Sequence, residues 1–211
     1  VEYNGALKNI MHKGDLSAQA NLNDFKDSKH IFALGALENL KGEILILDSK
    51  PFISLVNDQN LNISNSYDHK ATLLVHAAIE KWNTYDIPNH IISYEDLEKY
   101  IEFTAKDHGI DTEEPFPFLI SGVAKSFDWH VIDWEDGDTE HSHEKHIRSG
   151  LYGTIADQEV DILGFYSNKH HAVFTHHTTN MHLHVKTTDH AVSGHLDDMT
   201  LGQNMTLKLP K

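Results

Sequence analysis

The segment NMHLHVKTTDHAVSGHLDD, residues 180–198, combines the pattern of a β-strand with a dense set of histidines. Within fourteen positions it contains His182, His184, His190 and His195. In a strand, side chains at i and i+2 point to the same face of the sheet, so His182 and His184 are expected to project together. The segment therefore predicts either a metal site or a polar strand face in a histidine-rich chain.

A hairpin would bring a third imidazole to the pair. If the chain turns about Asp189 and His190, His184 lies opposite His195 in an antiparallel pairing, because both are equally distant from that turn. Three imidazoles from adjacent strands suit one Zn²⁺ per chain, with a coordination position left for water or substrate. The alternative is a set of solvent-exposed polar side chains. His190, at the turn itself, is interpreted as a surface residue.

Composition limits the classes of protein that this chain can represent. Its 211 residues are 39% hydrophobic and 23% charged, which is ordinary for a globular protein of one domain or two small ones. The formal net charge of −15 repels phosphate and argues against nucleic-acid and anionic membrane partners. The apolar runs are too short to span a bilayer. Without cysteine, a metal must be held by histidine and carboxylate.

The sequence sets few limits on compartment and assembly. It begins at Val1, which fits an exported protein after removal of a signal peptide, although the sequence does not fix the compartment. We expect a soluble protein, and a homodimer is compatible with its composition.

The first half mixes strands with two clear helices. Apolar spacing predicts a short helix from Leu7 to Gly14, and SYEDLEKYIEFTAKDHG predicts a second helix with Ser93 as its N-cap. HIFALGALENLKGEILILDSKPFISL has the pattern of a β-meander. ATLLVHAAI fits a helix by its spacing and a buried strand by its length. The fold class is therefore α+β, with β-structure predominant.

The second half is predicted to be almost entirely β. We place a domain boundary at the proline-bearing DTEEPFPF, which gives an N-terminal half of residues 1–112 and a C-terminal half of residues 113–211. Six strands are expected, in FLISGVAKSFDWHVID, GLYGTIA, VDILGFYS, AVFTHH, MHLHVKT and AVSGHLD. The polar segment DWEDGDTEHSHEKHIRSG between the first two is interpreted as a long mobile loop.

Two further histidine clusters carry weaker signals. HSHEKH places His141, His143 and His146 in the polar segment, where a solvated stretch is favoured over a structural site. In KHHAVFTHH, one of His176 and His177 is a candidate for facing the same pocket as the hairpin histidines. Neither cluster is expected to be needed for the metal.

An ordered set of segments resembles the α-acetolactate decarboxylase family. HLHVKTTDHAVSGH resembles its zinc motif, and GHLDD the continuation of that motif. IFALGALENLKGEILILDSKPF, SYEDLEKYIEF, PFPFLISGVAKSF and ILGFYS resemble other family segments in the same order. The resemblance covers about residues 7 to 209 and implies two β-rich halves with few helices and the metal in the second half. It also implies that ATLLVHAAI is a strand.

The resemblance implies roles for particular residues. The zinc ligands would be His182, His184 and His195, and Glu43 in LKGE would be the active-site glutamate. A 2-hydroxy-3-oxo acid such as acetolactate would be decarboxylated to acetoin, with the metal stabilising the enediolate and Glu43 delivering a proton. The alternative interpretation of Glu43 is a turn glutamate that precedes a strand.

Three positions depart from the family pattern. Ala36 stands where the family has a threonine, and by counting from Phe127, Asp133 stands where the family has an arginine. Asp133 would repel a substrate carboxylate if it pointed into the pocket, and Arg148 or Lys145 is the candidate replacement for the arginine. The family folds a glutamate back from its C-terminal tail, whereas nothing acidic follows Asp198 here.

These departures keep two alternatives open. The chain could be a zinc-binding homologue that is non-catalytic or acts on a different substrate. A cupin-type dioxygenase also uses an H-x-H motif, but the 16 residues after His195 leave no room for its second motif.

Overall fold

A computed structural model, which describes residues 1–211, folds the chain into two β-sheets with three α-helices. Every pairing between strands is antiparallel. The first sheet has the strand order β1-β7-β3-β4-β5-β6, with β2 also paired to β7. Its strands are β1 Glu2–Asn4, β2 Ala20–Asn21, β3 Ile31–Leu37, β4 Glu43–Leu47, β5 Lys50–Asn57, β6 Asn60–Ser64 and β7 Lys70–Ala78. The predicted β-meander is the β3-β4-β5 unit.

The segment ATLLVHAAI forms most of β7, which confirms the strand interpretation. It pairs with β3 on one side and with β1 and β2 on the other. Seven of its nine residues are buried, because both faces of this central strand are covered. A short apolar run of this kind also has helical spacing, and tertiary pairing decides between the two.

The second sheet has the order β10-β11-β12-β9-β13-β8, and β9 also pairs with β10. Its strands are β8 Trp82–Asp86, β9 Phe116–Val131, β10 Leu151–Tyr166, β11 Met181–Thr187, β12 Ser193–Thr200 and β13 Thr206–Pro210. The segments GLYGTIA and VDILGFYS, which were expected to be separate strands, belong to the single long strand β10. The chain continues through Asp157 at φ 52° without losing its register with β9.

The predicted helices are confirmed. Helix α1 spans Leu7–Lys13 and ends at Gly14, which is left-handed at φ 61°. Helix α2 spans Tyr94–Asp107, and the hydroxyl of its N-cap Ser93 accepts a hydrogen bond from the Asp96 N–H at 3.1 Å. Its buried face packs into the core of the second sheet. None of the helices is long and apolar enough to cross a membrane.

Two further expectations for the second half were wrong. AVFTHH is not a strand but a tight turn, in which Ala172 has φ 59° and the His170 carbonyl accepts several backbone N–H groups. The polar segment after β9 is not simply a loop, because it contains helix α3, His143–Arg148. Trp134, 2% exposed, anchors this segment in the core, and the polar composition around it concealed that anchor. The domain division at residue 112 stays a prediction.

The two sheets share an apolar core that places them face to face. One buried cluster combines Leu34 and Phe52 of the first sheet with Leu163 and Phe165 of the second. The buried Ser54 hydroxyl on β5 also donates a 2.7 Å hydrogen bond to the Ser193 carbonyl on β12. This packing holds the start of β4 against the β11-β12 hairpin.

Candidate metal centre

The β11-β12 hairpin brings three histidines together, as the spacing predicts. His184 and His195 are direct partners across the two strands. The loop between the strands is longer than a two-residue turn, because the Thr187 N–H donates to the Val192 carbonyl, but the register is unchanged. The rings of His182, His184 and His195, here called the inner triad, have centroids 5.1 to 5.3 Å apart. His190 lies at the turn, away from the triad, with its ring against Phe52.

The ring nitrogens of the inner triad are suited to a divalent metal. One nitrogen from each residue lies within 4.8 Å of the others. Nδ1 of His182 and both nitrogens of His184 are buried without a hydrogen-bond partner. Leaving such a group unpaired costs about 1–3 kcal/mol, and a cation that accepts the nitrogen lone pairs would remove part of that cost. The residues present therefore fit Zn²⁺.

Burial also keeps the inner triad in the form that binds metal. Burial holds the pKa of His182 and His184 well below the usual value, and it lowers that of His195. Neighbouring imidazoles lower these pKa values further. The neutral rings retain the lone pairs that a metal ligand needs.

Glu43 reaches the inner triad from the opposite sheet. It is 5% exposed at the start of β4, directly after Gly42. Gly42 has φ 145°, and a Cβ at this position would clash with the carbonyl oxygen of Ser54. Glu43 Oε2 lies 3.6 Å from His184 Nε2, and Oε1 accepts a hydrogen bond from the Ile132 N–H at 3.4 Å. Burial raises the pKa of the Glu43 carboxyl well above its usual value, which favours the protonated acid.

His130 and Asp197 also belong to this centre, and the sequence analysis did not identify them. His130 on β9 is the direct strand partner of His195, and their ring centroids are 4.7 Å apart. Asp197 Oδ2 lies 2.8 Å from His130 Nδ1, and Asp197 Oδ1 lies 3.2 Å from His195 Nδ1. Burial alone would raise the pKa of Asp197, but hydrogen bonds from the two imidazoles outweigh it and lower the pKa. His130, His195 and Asp197 form a second group with metal-ligand spacing.

The sequence contains a local signal for Asp197 but none for His130. Asp197 lies two positions after His195, so an H-x-D pattern within the quoted segment was available as a signal. His130 lies 65 positions before His195, and only the pairing of β9 with β12 brings them together. No local spacing predicts that pairing.

A cavity of about 430 Å³ opens beside the inner triad. His182, His195, Glu43 and His130 line its floor, and helix α1 together with strands of both sheets supplies an apolar wall. Of the other candidate pocket residues, Ala36, His176 and His177 line the cavity.

Asp133 and Arg148 lie outside the cavity, contrary to the expectation that they could reach it. Asp133 pairs with Lys41 at 3.5 Å, and Arg148 pairs with Glu144 at 3.2 Å. Successive residues of an extended chain face opposite sides, so His130 and Ile132 face the cavity while Asp133 faces away. Counting along the resemblance therefore reached the wrong face of the chain. Lys145, the other candidate for replacing the arginine, is bound to Asp138.

The remaining histidine clusters meet at the cavity mouth. We call His141, His143, His146, His176 and His177 the rim histidines, and all five line the cavity. His141 Nδ1 lies 2.9 Å from His146 Nε2, and the His141 ring stacks on Trp134. The expectation of a merely solvated HSHEKH stretch was wrong. Burial, aided by neighbouring imidazoles, lowers the pKa of His146 to about 4 and that of His176 to about 3.

Comparisons with known proteins identify a family and a common fold. The model of a family described as Alpha-acetolactate decarboxylase matches residues 7–211. No curated protein matches the sequence. A Staphylococcus aureus protein of unknown function, described as similar to alpha-acetolactate decarboxylase, superposes with a TM-score of 0.75 at 18% identity, over 98% of this chain and 83% of its own. Alpha-acetolactate decarboxylase from Bacillus subtilis strain 168 gives 0.75 at 13% identity, over 99% and 84%. At these identities, the structures show a common fold.

Proposed function

This chain belongs to the α-acetolactate decarboxylase family, and from that premise we propose that it is a zinc-dependent lyase that converts a 2-hydroxy-3-oxo acid such as acetolactate to its hydroxy ketone. The observation that carries the proposal is the position of Glu43. Its buried carboxyl lies 3.6 Å from His184 of the inner triad. A protonated acid beside a neutral three-imidazole set is the arrangement that decarboxylation with directed proton delivery needs.

The inner triad would hold the metal, and the chain would supply the rest of the site. A zinc ion bound by His182, His184 and His195 would supply Lewis acidity, which stabilises negative charge that develops on substrate oxygens. The apolar wall, to which Leu40, Leu73 and Ile132 contribute, would exclude water from the reacting carbon of a bound substrate. Exclusion of water also strengthens electrostatic interactions within the cavity.

Glu43 would deliver the proton. Loss of CO₂ leaves the bonding electron pair on the substrate as an enediolate, which must accept a proton at carbon. Glu43 is fixed in place by the strand ladder of β4, and burial raises its pKa, which favours the protonated form. After the transfer it must take up one proton from solvent, so each turnover consumes one proton overall. A positioned acid contributes about 10²- to 10⁴-fold to the rate.

A second candidate function has structural support in the polar lining of the cavity. Ala36 supplies no hydroxyl, and Lys8 is the only lysine or arginine among the lining residues. A substrate with a different anionic group, or none, would suit this lining as well as acetolactate does. The zinc-binding homologue that acts on another substrate, or on none, is therefore the alternative. Family membership displaces the cupin interpretation.

An assay on racemic acetolactate tests the proposal. The zinc-loaded protein should release CO₂ and acetoin, and Glu43→Gln should reduce turnover by about 10²- to 10⁴-fold while zinc remains bound. Glu80→Gln is the matched control, because Glu80 is exposed and lies outside the cavity. If the native protein carries a full equivalent of zinc and produces no acetoin, the alternative function takes the place of this one.

A further inference from the structure

One carboxylate, Asp197, lies between a histidine of the inner triad and His130. Its Oδ2 and Oδ1 atoms lie 2.8 and 3.0 Å from His130 Nδ1, and Oδ1 lies 3.2 Å from His195 Nδ1. Side-chain exposure is 14% for Asp197, 6% for His130 and 13% for His195. At such burial these contacts hold both rings in fixed orientations.

The contact with Asp197 also determines which atom His130 presents to the cavity. An ionised carboxylate accepts hydrogen bonds and cannot donate one, so His130 Nδ1 carries the shared hydrogen. Its Nε2 makes no hydrogen bond and lies 3.8 Å from Glu43 Oε1. His130 therefore faces Oε1 of Glu43, whereas His184 of the inner triad faces Oε2.

The two oxygens of Glu43 have different surroundings as a result. Oε1 faces the Ile132 N–H at 3.4 Å and His130 Nε2 at 3.8 Å, whereas Oε2 faces His184 Nε2 at 3.6 Å. Because the hydrogen of His130 lies on Nδ1, its Nε2 presents a lone pair to Oε1, and an acidic hydrogen on that oxygen of a protonated Glu43 would point towards His130. Oε2 lies beside His184 of the inner triad instead.

We propose that His130 is a positioning residue that orients the Glu43 carboxyl, and that Asp197 fixes both His130 and the metal ligand His195. The proposal rests on the proposed function for its effect on catalysis. Asp197 thereby couples the proton donor to the metal centre. A second metal held by His130, His195 and Asp197 is the competing explanation, because these residues also have ligand spacing.

Two substitutions of His130 distinguish an effect on the orientation of Glu43 from a general effect on the structure. The amide nitrogen of asparagine reaches about as far as Nδ1, and that of glutamine about as far as Nε2. His130→Asn keeps the contact with Asp197 and loses the group beside Glu43, whereas His130→Gln retains a polar group there. A small displacement of a catalytic group is enough to cost up to about 100-fold in rate.

We expect His130→Asn to lower kcat roughly 10- to 100-fold with little change in KM. It should also lower the enantiomeric excess of the product, because a misdirected proton reaches both faces of the enediolate. His130→Gln should recover part of both losses, and His90→Gln, at an exposed site, should change neither. An unchanged enantiomeric excess and kcat in His130→Asn would overturn the proposal, as would equal losses in both variants.

An infrared measurement tests the same contact without turnover. The carbonyl stretch of protonated Glu43 is the band that disappears in Glu43→Gln. His130→Asn should shift this band and His130→Gln should shift it less, in metal-free and zinc-loaded protein alike. A band that neither substitution moves contradicts the positioning role. If the native protein produces no acetoin but the band shifts, the proposed function fails and the positioning of Glu43 stands.

The role of Asp197 is measured by metal affinity. A carboxylate that orients a ligating histidine typically contributes 10- to 100-fold to metal affinity, so Asp197→Asn should weaken zinc binding by that factor in a chelator competition. Asp198→Asn is the matched control, because Asp198 is exposed and accepts only from the Met199 N–H. Zinc affinity unchanged in Asp197→Asn overturns this role. Two zinc equivalents in the native protein, with one lost in Asp197→Asn, would show a second metal instead.

Discussion

The inner triad and the rim histidines use the same side chain in two different ways. The inner triad lies on β11 and β12, each held in the sheet on both sides. The rim histidines lie on the six-residue helix α3, on the segment before it and on a turn. Histidine content does not distinguish the two regions, whereas the secondary structure that carries the histidines does.

The ring nitrogens show the second difference. Three ring nitrogens of the inner triad, on His182 and His184, are buried without partners, whereas none of the rim histidines has such a nitrogen. Rim rings pair with one another, as in the 2.9 Å contact between His141 and His146, and pack on Trp134. Buried lone pairs without partners suit a metal ion, whereas the ring contacts of the rim histidines with one another and with Trp134 are explained by local packing.

The most direct test of the difference between the two regions is to remove two members of the inner triad. The double substitution His182→Ala/His184→Ala should reduce bound zinc from about one equivalent to none, because a single remaining imidazole does not hold the ion. Elemental analysis of the purified protein measures this. The two substitutions also remove buried nitrogens that lack partners, so the metal-free fold should persist by circular dichroism.

A full equivalent of zinc in the double variant would refute the inner triad as the metal site. The matched control is His176→Ala/His177→Ala, which removes two rim histidines. Zinc content should stay at about one equivalent in that protein.

The pH dependence of stability also distinguishes the two regions, although the expected effect is smaller. Burial lowers the pKa of His146 to about 4 and of His176 to about 3, against an ordinary value of 6.5. Between these values the unfolded chain binds protons that the folded chain does not. The stability of the metal-free protein is therefore complete above about pH 6.5 and falls as the pH decreases towards 4.

The double variant His146→Gln/His176→Gln measures the share of the rim in this loss. Between pH 7.5 and 5.5, its free energy of unfolding should fall by about 1–2 kcal/mol less than that of the native protein, given the partial exposure of both rings. Urea unfolding at both pH values, after removal of metal, gives the comparison. Equal losses of unfolding free energy in the two proteins would mean that His146 and His176 have the same pKa values in the folded and unfolded states.

The same contrast explains how much the sequence could predict. The period of two in MHLHV and the symmetric placement of His184 and His195 about the turn predict the inner triad, because a strand and its hairpin are local structure. Glu43 came only from the family resemblance, since nothing in LKGE itself indicates contact with a histidine 141 positions away.

Residues joined by long-range pairing were the ones that sequence reasoning missed or misplaced. His130 meets His195 only because β12 pairs with β9. Asp133 was assigned to the cavity by counting along the chain, but the alternation of faces at the end of β9 puts His130 there instead. His141, His143 and His146 were interpreted as solvated because Trp134, which anchors their segment, lies within a polar run. In each case the deciding contact joins distant parts of the chain.

The smallest effect is expected where the sequence interpretation was least accurate. Although His141, His143 and His146 line the cavity, the rim approaches the inner triad most closely through His176, whose ring is 6.2 Å from that of His195. The triple substitution His141→Gln/His143→Gln/His146→Gln should therefore leave zinc at about one equivalent. The zinc affinity should change by less than about 3-fold, whereas a residue that supports a metal ligand typically contributes 10- to 100-fold. Chelator competition on the triple variant and the native protein measures both quantities. A fall to half an equivalent of zinc would mean that the rim histidines supply a metal ligand. The distinction between the two regions would then fail, because imidazoles outside the strands would bind the metal as the inner triad does.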